Sequence, residues 1–186
     1  MTTTRPLTLA TLLLLSAGGC TTVRQLRPAG TIPVNGQAER TRASKALDFS
    51  IATRVEAPPD VVWAVLTDGP AFTSWNSTVV SLDGTIAPGR TIKLVSKVAP
   101  KRTFKLKVTT FEAPRHMVWE DGGAMFLGVR HFTLLPAADG STTFVMSETY
   151  SGGMLGMIAG SLPDMTASFG AFAADLKRQA EARVAR

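Results

Sequence analysis

From residue 47 the chain alternates between apolar and polar positions. "LDFSIATRVEA" (47–57) has the two-residue period of a half-buried strand. "PPDVVWAVLTD" then changes period. Two prolines stand in a first turn, Asp60 sits near the positive end of the helix dipole, and Val61, Val62, Val65 and Leu66 share a face, which predicts a helix. "GPAFTSWNST" predicts a short second helix or a structured loop. Strand-like runs follow at 79–84, 90–99, 102–111, 116–120, 126–135 and 142–150, separated by "APGR", "APKR", "EAPRH", "DGG" and "ADGS". Consecutive strands joined by turns this short must be antiparallel. In the last element Leu155, Ile158, Leu162, Met165, Phe169, Phe172 and Leu176 recur at spacings of three and four. Ser161, Pro163 and Asp164 read as a capped start, so the main helix is expected from 162 to about 183. The stripe covers too few heptads for a coiled-coil seam and is expected to pack on the sheet. The predicted class is α+β: about seven antiparallel strands in a curved sheet around a long C-terminal helix, over residues 46–186.

The chain before this domain reads differently. Arg5 precedes an apolar run over 7–15, about half the ~20 residues that span a bilayer but the length of a secretory h-region. "SAGGC" follows. It resembles the lipobox of exported lipoproteins, with Ala17 in the place where leucine is commonest. That resemblance implies a signal peptide over 1–19 and lipidation of Cys20, which partners the chain with a membrane through a lipid anchor. Thr21, rather than an aspartate, implies sorting to the outer membrane, on the periplasmic side. Ordinary secretion with Cys20 a free thiol is the competing reading. Residues 20–45 carry Pro28, Gly30, Pro33 and Gly36 without a hydrophobic period and read as a flexible linker.

Composition narrows the chemistry. The 186 residues, 45% hydrophobic and 18% charged, suit one globular domain. One cysteine and two histidines make neither an internal disulfide nor a cluster of metal ligands, so no metal or cofactor is expected. The net charge of +6 favours anionic partners, but acids interleave with the bases and nucleic acid is not expected. No G-x-S-x-G, H-E-x-x-H, phosphate loop or G-x-G-x-x-G is present. In "KVAPKRTFKLK" Lys105 and Lys107 fall on one face and Phe104, Leu106 and Val108 on the other, with Lys93 and Lys97 in phase. The basic face is either a solvated sheet surface or a patch toward anionic headgroups. The glycine-rich "SGGMLGMIAG" is either a lid or a fixed loop. Trp63 and Trp119 read as core, whereas Trp75 divides between core and cavity mouth.

The order of elements, with "APPDVVWAVLTDGPAFTSWN", "FLGVRHFTLLP" and "TTFVMSETYSG", resembles the SRPBCC superfamily of START-like, polyketide cyclase/dehydrase-like domains. The resemblance spans about 49–182. It implies a helix-grip fold with a cavity between sheet and helix, binding a small hydrophobic or amphipathic molecule as carrier or sensor. A cyclase or dehydratase using acid–base residues in that cavity, with Glu148 and His131 as candidates, and an interaction module with a collapsed cavity are the alternatives. The cavity is expected in the usual small-molecule range, about 300–1,000 Å³. Its expected lining is Phe104, Leu106, Val108, Phe132, Phe144 and Met146 from strands, Met165, Phe169 and Phe172 from the helix, and Trp75 at the mouth. Phe144, Met146, Glu148 and Tyr150 share a phase, so Glu148 lies on an apolar face and needs a partner. A two-residue Asp139-Gly140 turn sets His131 opposite Glu148; a three-residue loop ending at Gly140 sets Arg130 there. The family pattern favours the second register, and an Arg130–Glu148 pair suits ligand binding better than proton transfer.

Overall fold

The computed structural model describes residues 27–186. The leader expected over 1–19 and the anchor expected at Cys20 lie outside the described residues. Eight strands form one sheet: β1 Glu39–Ala43, β2 Ala46–Val55, β3 Val79–Asp83, β4 Thr91–Ser96, β5 Thr103–Glu112, β6 His116–Gly123, β7 Phe126–Pro136 and β8 Thr142–Ser151. Their order is β1-β2-β8-β7-β6-β5-β4-β3, and every neighbouring pair is antiparallel. Only β2–β8 closes over a long sequence separation, and it brings the first long strand beside the last. Helices α1 Pro59–Thr67 and α2 Phe72–Trp75 follow β2, while α3 Leu155–Ile158 and α4 Thr166–Val184 follow β8. The architecture is the α+β helix-grip fold.

Part of the segment expected to be linker is structured. "ERTRA" forms β1 on the sheet edge, and Val34 bridges Ala52 outside the named strands. An edge strand needs only backbone partners on one side and tolerates polar residues on both faces, so its sequence carries no apolar alternation. The residues just before it cover an outer patch of the sheet, where Ile32, Ala52 and Val145 are buried together. That patch explains the apolar Val145 in the otherwise polar phase of β8.

The last helix starts later than its sequence suggests. Met165 is the N-cap residue and makes no side-chain cap. Asp164 Oδ1 instead accepts from the Thr166 amide (2.9 Å) and hydroxyl (2.8 Å), while Ser161 Oγ donates to the Ile158 carbonyl (2.8 Å). Ser161 and Asp164 therefore close separate local turns, the usual competitor of a capping box. At nineteen residues α4 is about 28 Å long. It packs across β2 and against α1, burying Phe169, Phe172, Ala173, Leu176 and Ala180.

One end of the space between α4 and the sheet is solid. Phe172 stands 5.8 Å from Trp75, 5.9 Å from Phe132, 6.0 Å from Phe72 and 6.3 Å from Phe144, ring centre to ring centre. Trp119 closes on Phe132 at 4.7 Å. Trp63 packs edge-on against Phe111 at 5.1 Å, beneath α1. Such rings fill area and fix geometry together; a void lies beyond them, toward the N-terminus of α4, where Met165 and Ser168 line it.

Candidate functional site: a cavity at the N-terminal end of the last helix

The β7–β8 hairpin sets the chemistry of that void. Gly140 adopts φ +84°, the Ala137 amide donates to the Ser141 carbonyl (2.9 Å), and Asp139 Oδ1 accepts from the amide and hydroxyl of Ser141. A bond from Arg54, reinforced by those from Ser141, holds the Asp139 carboxyl well below its usual range. This three-residue loop places Arg130 directly opposite Glu148, Phe132 opposite Met146 and Leu134 opposite Phe144.

Arg130 and Glu148 form an ion pair on the concave side of the sheet. Arg130 Nη2 and Nε both donate to Glu148 Oε2, at 2.6 and 3.2 Å, with side-chain exposures of 18% and 11%. Burial, the largest single effect, would lower the Arg130 pKa, but the charge of Glu148, that of Tyr150 and the Glu148 hydrogen bond together outweigh it and hold the guanidinium above its ordinary value. The same guanidinium lies 5.3 Å from the Phe169 ring centre, a cation–π contact with α4. Tyr150, two residues on and on the same face, is pushed up by burial and then by the neighbouring Glu148 charge. Its ring stacks on Phe126 at 5.5 Å and lies flat against Gly128, where an added Cβ would meet Tyr150 Cε1 at 3.2 Å. Glycine at 128 makes room for the tyrosine.

Together these residues wall a cavity of about 130 Å³. Phe126, Gly128 and Arg130 of β7 face Glu148 and Tyr150 of β8. Trp119 and Asp121 come from β6, Phe104 and Leu106 from β5, and Leu94 and Ser96 from β4. Val98, Ala99 and Arg102 close the side at the β4–β5 turn, Thr78 and Val79 add the β3 end, and Leu162, Pro163, Met165 and Ser168 form the cover. At the rim Arg102 pairs with Asp121 at 3.0 Å, and its guanidinium lies 4.4 Å over the Phe104 ring. Both charge pairs are balanced, so the lining is apolar with no net charge. The volume is below the expected range and close to that of a cavity that takes one aromatic ring, roughly 150 Å³.

Of the expected lining, Phe104, Leu106, Arg130, Glu148 and Met165 border the cavity. Trp75, Val108, Phe132, Phe144, Met146, Phe169 and Phe172 do not; they are buried in the core. Periodicity identified the inward face correctly and the depth wrongly, because α2 and Phe172 fill the closed end. His131 is a second correction. It pairs across β8 with Ser147 on the opposite face of the sheet, hydrogen-bonded to His116 at 3.1 Å, and takes no part in the cavity. Burial and then the neighbouring His116 lower its pKa. Arg102, Asp121, Phe126 and Gly128 were not anticipated. Tyr150 was assigned to the inward face but not to the cavity, although its phase with Glu148 was the available signal. Among the described residues no cluster of His, Cys, Asp and Glu could hold a metal, and no helix is long and apolar enough to cross a membrane.

This geometry belongs to a ligand-binding class of domain. Residues 46–181 match the family described as polyketide cyclase / dehydrase and lipid transport, and the chain belongs to it. No curated protein matches the chain. Among solved structures, the protein of unknown function SA2116 from Staphylococcus aureus is similar with a TM-score of 0.59 at 10% identity, over 80% of this chain and 99% of that one. Norcoclaurine synthase from Thalictrum flavum gives 0.58 at 13% identity, over 77% and 99%. The di-domain ARO/CYC protein BexL gives 0.58 at 15% identity, over 75% of this chain and 52% of that one. At these identities the likeness is one of fold.

Proposed function

We propose that this chain is an envelope lipoprotein, held on the periplasmic side of the outer membrane through acylated Cys20, whose domain binds a small hydrophobic or amphipathic molecule as carrier or sensor. The anchor rests on the apolar run and "SAGGC". The binding role rests on the cavity. An apolar space with two balanced ion pairs on its wall suits a ring or short chain bearing an uncharged polar end. A ligand with a net charge would have to displace Glu148 from Arg130 or Asp121 from Arg102. The enzymatic alternative needs a proton donor and an acceptor converging on the ligand. Glu148 is committed to Arg130, and His131 lies behind the sheet, so binding is the reading this wall supports.

Two experiments separate the parts of the proposal. The neutral fluorophore N-phenylnaphthylamine should bind the purified protein saturably and with a single site. Leu106→Trp, which fills the cavity, should weaken binding at least about tenfold, roughly 1.4 kcal/mol. Equal binding by parent and variant would remove the cavity as the site. Cys20→Ser should release the protein from membranes or block its maturation; normal cleavage with continued membrane attachment would remove the anchor.

A further inference from the structure

The two large hydrophobic side chains most exposed to solvent among the described residues are Met157 (79%) and Met125 (61%), and both belong to segments that frame the cavity mouth. Met125 is in the β6–β7 turn beside Phe126, which lines the cavity. The turn is tied to the chain leading into α3: the Met154 amide donates to the Met125 carbonyl (2.9 Å) and the Gly153 amide to that of Ala124 (3.3 Å). Met157 follows within α3, and Leu162 and Pro163 beyond it are again cavity wall. The third framing segment is the β4–β5 turn. Its Val98 and Ala99 line the cavity, while Lys97 and Lys101 on either side are exposed and form no ion pair among the described residues. The mouth is thus an apolar ledge of flexible thioethers beside unpaired cations.

The N-terminal segment is tied to the β1 edge of the sheet. Arg27 pairs with Glu39 at 2.7 Å, and Arg40 follows in β1. The Asp164 carboxyl is held below its ordinary range chiefly by the Thr166 amide and hydroxyl, and also by the charge of Arg40; Pro163, its neighbour, lines the cavity. Six residues lie between Cys20 and Arg27, a span of seven residue steps that reaches at most about 25 Å. An anchored domain on so short a tether stays close to the bilayer.

We infer that the cavity mouth docks on an anionic lipid bilayer, with Met125 and Met157 entering the interface and Lys97 and Lys101 meeting the headgroups, so that the ligand passes between bilayer and cavity. This deepens the binding role proposed above and rests on it. Apolar side chains flanked by lysines are the composition that binds such an interface, by buried area together with attraction to anionic lipid. Methionine, unbranched and polarisable, adapts to a disordered surface.

Full-length protein reconstituted in vesicles tests the orientation. The native tryptophans are buried, at 8%, 5% and 1% exposure, so a tryptophan placed at 125 or 157 reports on its own surroundings. Met157→Trp and Met125→Trp should be quenched by brominated acyl chains, at least about twofold more in phosphatidylglycerol–phosphatidylcholine vesicles than in pure phosphatidylcholine. Lys97→Glu with Lys101→Glu should remove that difference. Val184→Trp, at the far end of the ~28 Å helix α4, should be unquenched. Quenching as strong at 184 as at 157, or none at 125 and 157 in anionic vesicles, would overturn the docking face. So would a reporter change in lipid-free buffer that tracks protein concentration, which would mark a contact between two copies. Release by Cys20→Ser and fluorophore binding are read without these reporters, so failure of the docking face is distinguishable from failure of the cavity or the anchor.

Discussion

Replacing Glu148 by glutamine removes one charge and almost no volume, which isolates the electrostatic part of the cavity wall. Glu148 Oε2 takes two bonds from Arg130, at 2.6 and 3.2 Å, and both side chains are largely buried. Removing one member of a buried pair costs about 3–5 kcal/mol, because the surviving charge loses its counter-ion while staying out of water. The residual exposure of both groups and the oxygen retained by glutamine place Glu148→Gln at the lower end, about 3 kcal/mol. For a domain of this size 1 kcal/mol moves Tm by ~2–4 °C, so the variant should melt about 6–12 °C below the parent. Urea unfolding followed by the buried tryptophans gives the free energy directly. Arg130→Met combined with Glu148→Leu should recover most of the loss, since an apolar pair of similar size carries no desolvation cost. A Glu148→Gln variant that unfolds within ~0.5 kcal/mol of the parent would show that the pair is solvated, and the reasoning from burial would be refuted.

Other side chains make separate claims. Asp175 is buried on α4 and accepts from the Ser77 amide at 2.7 Å. Asp175→Ala should cost about 1–3 kcal/mol, because the Ser77 amide and Arg178 lose a shared acceptor, and should speed hydrogen exchange at Ser77. Gly128→Val should drive into the Tyr150 ring and abolish fluorophore binding in titrations of folded protein, where Gly89→Ala, at an open turn, should not. His131 is depressed from 6.5 by burial and by His116, with Glu120 opposing. A histidine whose folded pKa lies below its unfolded value favours the unfolded chain when protonated. Its contribution is therefore complete above about pH 6.5 and is lost as pH falls below that toward the folded value. Urea unfolding at pH 7 and pH 5 should show this loss, and His131→Asn should flatten the slope. Glu112, 3.9 Å from His116, is the other charge beside the pair.

The periodic elements were legible because each buries one face continuously: the seven runs from Ala46 to Ser151 all appear as strands, and Phe169, Phe172 and Leu176 of the stripe are buried on α4. β1 was not, since an edge strand of "ERTRA" leaves no apolar trace. The start of α4 was misplaced because Asp164 and Ser161 offer the same donors and acceptors to local turns as to a cap. The Arg130–Glu148 pairing could be anticipated from hairpin register, a local property of the loop at Asp139 and Gly140. Which inward residues border empty space could not. That depends on how far Phe72, Trp75 and Phe172 reach across from three different elements, a packing outcome with no period of its own. Arg102 and Asp121 likewise meet only because β5 and β6 are neighbours at the rim.

Native mass spectrometry of the full-length protein, purified from its own host and released from detergent in the gas phase, tests the occupied cavity most directly. A bound small molecule in the parent, lost in Leu106→Trp and retained in Val184→Trp, is the predicted result. A parent that appears only as the polypeptide without a bound molecule, with the same pattern in all three proteins, would contradict a ligand-binding function.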